Sequence, residues 1–155
     1  MTQLFTNLRL LDPEAGTLEP AAVLVRNGVI AEVLDHGATA ADGAELIDCG
    51  GHILAPGIVD IGVKVCEPGE RHKESYRSAG RAAAAGGVTT MVTRPDTDPA
   101  IDSPETLEFV TRRANEAAPV NVVPMAALTK GREGREMTEI GFLMDAGAAA
   151  FTDCD

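Results

Sequence analysis

The sequence predicts an α/β chain in which a small β segment, residues 1–55, precedes four β/α units, residues 56–155, amounting to half of a (β/α)8 barrel. Three observations predict this. The rhythm changes near Pro56, from closely spaced β-type runs to longer strand–helix–strand alternation. Beyond that point β-branched apolar runs recur at roughly 30 residues, the length of one β/α unit. Helix start and stop signals fall between those runs.

In the first segment the strands are LFTNLRLLD, AAVLVRNGVIAEVL and ELIDCGGHIL. Asn27-Gly28 splits the second into two arms of a hairpin, since both central residues of a type I′ turn need positive φ. After Pro56, GIVDIGVKV (57–65) is the first barrel strand, and a helix over 74–85 follows, closed by Gly86-Gly87, which suit a left-handed cap. VTTMVT (88–93) is the second strand. Ser103-Pro104-Glu105 then opens a helix, with Ser103 as N-cap, Pro104 at the first helical position and an acid in the first turn. VNVVPMAAL (120–128) is the third strand, a helix over 135–146 follows, and AGAAAFT (146–152) leads into a fourth. The strands are expected to be parallel and the first segment mostly antiparallel and packed on them. Four strands leave the inward face of a half-barrel wet, so the sequence reads as truncated or as covered by something else.

Composition narrows the function. The 45% apolar content supports a packed core rather than disorder. With 24 Asp+Glu against 13 Lys+Arg, the net charge is −11. Such a field repels polyanions, which argues against nucleic acid and anionic membrane surfaces as partners. The three cysteines, Cys49, Cys66 and Cys154, are odd in number and widely spaced, so no disulfide framework or zinc ribbon is indicated. The N-terminus has no charged region leading into a long apolar run, and no apolar segment reaches the roughly 18 residues of a membrane span. The expected compartment is the cytoplasm.

Four stretches, LAPGIVDIGVKVCEPGERHKES, AGRAAAAGGVTTMVTRPDTDPAIDSPETLE, VNVVPMAALTKG and GAAAFTDCD, together resemble the dihydroorotases of the amidohydrolase superfamily. The resemblance covers essentially the whole sequence, as the N-terminal part of a longer family chain. It implies a (β/α)8 TIM barrel bearing metal, beside a small β-sandwich to which residues 1–55 contribute. The implied reaction is reversible closure of carbamoyl-aspartate to dihydroorotate in pyrimidine biosynthesis. Zinc supplies its chemistry, lowering the pKa of a bound water to about 7.

At the positions carrying that chemistry this sequence departs from the family. The resemblance implies His-x-His at the first strand end, two residues that strand alternation turns to one side. Here they are Gly62, which offers no ligand, and Lys64, which has no lone pair when protonated. The arginine expected to grip the substrate carboxylate is Cys66, and the asparagine of Pro-Asn-Thr is Asp96, an anion that repels an anionic substrate. Asp153 retains a metal-associated carboxylate, although its neighbour in the family's Asp-Asp pair is Cys154. These five site positions (Gly62, Lys64, Cys66, Asp96 and Asp153) thus imply no catalytic residue and no metal in this chain, with Asp153 the one retained candidate. Further metal histidines of the family fall beyond Asp155.

Lys64 has two readings: a solvated lysine at a strand end, or an ammonium in the metal's place, paired with Asp96 or, by expectation, Asp153. His36, His52 and His72 read as turn, strand and loop residues rather than ligands, Cys66 and Cys154 as free thiols, and Lys130-Gly131-Arg132 as an ordinary loop. The leading expectation is a dihydroorotase-like pseudoenzyme with an assembly role, forming an oligomer. The resemblance offers aspartate carbamoyltransferase, the preceding enzyme of the pathway, as its partner. The alternative is an active cyclic amidohydrolase whose ligands lie outside this sequence. A small-molecule binding module using the remaining pocket is a third, weaker option.

Overall fold

In the computed structural model, which describes residues 1–39 and 43–154, the chain divides into two units, Met1–Pro56 and Gly57–Asp155. Asp155, the last residue of the expected barrel segment, lies outside the described residues.

The first unit is one sheet of five strands: β1 (Thr2–Asp12), β2 (Thr17–Arg26), β3 (Val29–Asp35), β4 (Glu45–Asp48) and β5 (Ile53–Leu54). The order is β3-β2-β1-β4, with β5 also on β1. Asn27 and Gly28 turn the chain from β2 to β3 at φ of 51° and 79°, the left-handed pair that the hairpin requires. The sheet is mixed rather than simply antiparallel. β1–β2 and β2–β3 are antiparallel, but β4 and β5 both run parallel to β1. The CGG segment brings this about: Gly51 N–H donates to Asn7 and His52 N–H to Cys49, so the chain turns without reversing its direction against β1. Leu4, Ala22 and Leu24 are buried in one cluster, Leu8, Ala21 and Val23 in another. Residues 21–24 supply the two clusters alternately, as the two-residue period of a strand dictates.

The second unit carries β6 (Ile58–Val63), α1 (Tyr76–Ala85), β7 (Val88–Thr93), α2 (Pro104–Ala117), β8 (Asn121–Pro124) and α3 (Ile140–Asp145). Its three strands are parallel in the order β6-β7-β8. Helix α1 starts two residues later than its sequence suggests because Ser75 is spent as the N-cap, in a reciprocal capping box with Ser78. Ser103 and Pro104 open α2 as expected. The core between helices and strands holds Tyr76, Met91, Ile101, Leu107, Val110 and Leu143, all fully buried. Burying a large side chain of this kind is worth about 1.5–3 kcal/mol, so the helix face of the sheet holds this unit together.

Three expectations need correction. Helix α3 spans six residues, not twelve: Arg132 and Gly134 take φ of 60° and 68°, and a bridge from Thr129 to Met137 closes the preceding loop. β8 stops at Pro124, short of residue 128. The fourth strand is reduced to one parallel bridge, Ala126 to Phe151, held by hydrogen bonds of 2.9 and 3.0 Å to the flanking residues. Its AGAAA approach includes Gly147 at φ 99° and offers few side chains for a sheet to grip. Among the described residues no helix is long and apolar enough to cross a membrane.

Candidate functional site

Parallel strands bring their C-terminal ends to one side of a sheet, where barrels of this kind carry their chemistry. Lys64 and Cys66 follow the end of β6, Asp96 follows β7, and Asp153 follows the Phe151 bridge. The structure brings only some of them together.

Lys64, Cys66 and Asp96 share a cavity of about 160 Å³, with Glu70 and Asp98 on its wall. Lys64 Nζ lies 2.9 Å from Asp96 Oδ2, and Arg94 Nη2 lies 3.3 Å from the same oxygen. The Asp96 side chain is 5% exposed, whereas that of Lys64 is 54% exposed. Oδ1 of Asp96 is buried without a hydrogen-bond donor. Hydrogen bonding to Asp96, and then its charge, hold the Lys64 ammonium above the ordinary lysine pKa. The partner of Lys64 is therefore Asp96 and not Asp153. Lys64 leaves β6 just as Arg94 leaves β7, and the Arg94 N–H still donates to Val63 O across the pair (2.9 Å), so the two loops depart side by side.

Gly62 lies elsewhere. It is the extra residue of a bulge, between Ile61 opposite Val92 and Val63 opposite Thr93, and its φ is 92°. A side chain there is strained even though an added Cβ would meet nothing within 4 Å. The bulge breaks the alternation that placed positions 62 and 64 on one side. Gly62 and Cys154 instead line a second cavity, of about 370 Å³, with Arg94, Met125, Phe151 and Thr152.

Asp153 is held by neutral donors. The Thr129 N–H donates to Oδ1 and the Thr129 hydroxyl to Oδ2, both at 2.8 Å. Arg132 donates to the Asp153 carbonyl at 3.1 Å, which gives the left-handed Arg132 a definite role in the loop. The Thr129 N–H is the main reason that the Asp153 carboxyl sits below the usual aspartate range.

Zinc does not fit the residues present here. Gly62 has no donor and a bulged backbone, the Lys64 ammonium is a cation already paired, and both Asp153 oxygens are engaged by Thr129. Among the described residues no three His, Cys, Asp or Glu side chains gather to hold a metal ion. The His52 ring bonds its own loop through Cys49 O at 2.6 Å.

Sequence reasoning missed Glu67. This buried carboxylate, 6% exposed, accepts from Arg113 Nε at 2.7 Å and from Tyr76 N at 3.0 Å, with Arg71 at 3.4 Å. Burial raises its pKa, but Arg113 and the Tyr76 N–H outweigh that and hold it below the usual glutamate value. Beneath it, burial drives the Tyr76 hydroxyl up to about 12. Glu67 thus fastens the loop after β6 to both α1 and α2. The one available signal was Glu67 in the quoted EPGERHKES loop, and nothing local reveals a partner 46 residues away.

The family model described as dihydro-orotase-like matches residues 51–155. The dihydroorotase of Bacillus cytotoxicus is 43% identical over 153 residues, covering 99% of this chain and 35% of the relative. That of Pelobacter propionicus is 40% identical, covering 99% and 36%. The chain spans about a third of the length of the curated relatives it matches. Among solved structures, the L-hydantoinase (dihydropyrimidinase) of Arthrobacter aurescens aligns with a TM-score of 0.82 at 23% identity, over 97% of this chain and 32% of that one. A dihydroorotase crystal structure aligns with a TM-score of 0.61 at 14% identity, over 97% and 41%. At such identities the likeness shows the fold, that of the amidohydrolase TIM barrel.

Proposed function

Since the chain belongs to the dihydro-orotase-like family, we propose that it is a non-catalytic member, serving pyrimidine biosynthesis in the cytoplasm as an assembly partner rather than by closing carbamoyl-aspartate to dihydroorotate. The observation that carries this reading is the ion pair of Lys64 with Asp96 at 2.9 Å, beside a bulged Gly62. These positions would have to bind metal and substrate in a working site, and here they satisfy one another. Cys66 supplies no guanidinium for a substrate carboxylate, and the Asp96 carboxylate opposes one. Losing one oriented electrostatic contact commonly costs about 10² to 10³ in rate, and several are missing together.

The scaffold keeps its caps, core and turns, so its use lies in its surface. Its proposed partner is aspartate carbamoyltransferase, within an oligomer. The acidic balance of −11 suits a protein partner with basic surface and disfavours nucleic acid and membrane. Mixing the full-length chain with the cognate transferase tests this, by complex size and transferase activity. Co-elution with a change in activity is expected, and neither occurring removes the assembly role.

A second reading has one observation in its favour: Asp153 remains an ionised carboxylate at a strand end. On that reading, ligands outside residues 1–155 complete a metal site and the chain is an active cyclic amidohydrolase. Ring closure by purified full-length chain carrying stoichiometric zinc would establish it and remove the first.

A further inference from the structure

We propose that Lys64, Asp96 and Arg94 form a fixed-charge clamp which cross-links the ends of β6 and β7, a structural task that a metal would otherwise perform at such strand ends. Three features point to it. The ammonium and the guanidinium converge on one oxygen, Asp96 Oδ2, at 2.9 and 3.3 Å. The carboxylate is almost wholly buried, and its other oxygen has no donor, so its compensation rests on the Oδ2 side. The clamp also sits beside a tight junction of the loops following the two strands. Asp98 N–H donates to Pro68 O at 3.3 Å, and a Cβ added to Gly69 would come within 2.7 Å of Asp98.

The two partners are unequal. Lys64 is half exposed and can return to water if Asp96 is neutralised. Asp96 cannot, so removing Lys64 takes the nearer of two cations from a buried charge, and an under-compensated buried charge is costly. Asp96, at a position where the resemblance implies asparagine, is thus held jointly by Lys64 and Arg94, so positions 64 and 96 act as one coupled unit. A divalent cation brought to this corner would also meet two fixed positive charges at close range, so the clamp excludes metal as well as replacing its cross-link.

A double-mutant cycle read by thermal melting of the full chain tests this. Lys64→Met is expected to lower the melting temperature by several degrees and Asp96→Asn by clearly less. Lys64→Met/Asp96→Asn should melt closer to the parent than Lys64→Met does. Lys64→Arg should stay near the parent, because it keeps the cation. If the two single losses simply add in the double variant, or if Lys64→Arg falls as far as Lys64→Met, the clamp is wrong. Should Lys64→Met fail to fold, recovery of a folded chain in the double variant supports the clamp and its absence refutes it. The outcome is separate from the question of turnover. Additive losses would leave the inactive reading standing, and an active chain with ligands elsewhere would still show the coupling.

Discussion

The helix-packed core of Gly57–Asp155 and its strand-end mouth are built by different means, and the contrast separates what holds the unit together from what lines its strand ends. The core is apolar and close-packed around Tyr76, Leu107, Val110 and Leu143. The mouth holds its parts with charge and hydrogen bonds: Lys64 and Arg94 on Asp96, Thr129 on Asp153, Arg113 on Glu67. The core rests on apolar burial, whereas the mouth rests on charge and hydrogen bonds. Positions 62, 64, 66 and 96, where the resemblance implies departures from the family pattern, follow or close strands β6 and β7.

The largest expected effect probes the core side of that division. Leu107 is fully buried in α2. Leu107→Ala should cost about 2–5 kcal/mol, the range for a buried leucine whose cavity relaxes only in part. Urea denaturation measures it as a shift of the midpoint at constant slope. A loss smaller than that of Lys64→Met would break the comparison, because the mouth would then be holding the core.

How much of this was legible in the sequence follows the same division. Asn27-Gly28, Ser103-Pro104 and the run 88–93 were read correctly because each is fixed by its own few residues. The parallel β1–β4 pairing and the bulge at Gly62 were not, since register is decided between strands rather than within one. Helix α3 was overextended because nothing in GREGREM announces that Arg132 takes the left-handed conformation. At the site, the sequence names Lys64 with Asp96 or Asp153 as its partner but favours Asp153, whereas the structure pairs it with Asp96. That choice depended on where two loops travel after leaving their strands, which no local rule reports.

A smaller effect should join the two regions through Glu67. Its carboxyl is held below the ordinary 4.5, so its contribution is present above that pH and is lost as pH falls through the lowered folded value. Asp153 and Glu70 are displaced the same way, so acid sensitivity of the parent alone identifies no single group. The comparison with Arg113→Met does. Without Arg113, burial is opposed chiefly by the Tyr76 N–H and the more distant Arg71, and the Glu67 pKa should rise. The variant should be less stable at neutral pH, by less than Leu107→Ala, and its stability should fall less steeply between about pH 6 and 3. Urea midpoints across that range measure both. Parallel curves for parent and variant would mean that Glu67 and Arg113 are not coupled.

The smallest expected effect compares the two ways in which the mouth holds a carboxylate. Asp96 depends on two side-chain cations, Lys64 and Arg94, whereas Asp153 depends first on a backbone N–H that no side-chain change deletes. Thr129→Val removes the hydroxyl that donates to Oδ2 and that accepts from Gly134 N–H at 2.9 Å, but it leaves the 2.8 Å bond from the Thr129 N–H to Oδ1. A carbon-detected NMR titration of the Asp153 carboxyl should therefore show its pKa rising only part of the way, still short of the ordinary 3.8. A rise beyond that value would make the hydroxyl the main support and place Asp153 in the same class as Asp96. A partial rise would mean that the retained carboxylate stays ionised because of the fold of the Thr129 loop, independently of any metal or substrate.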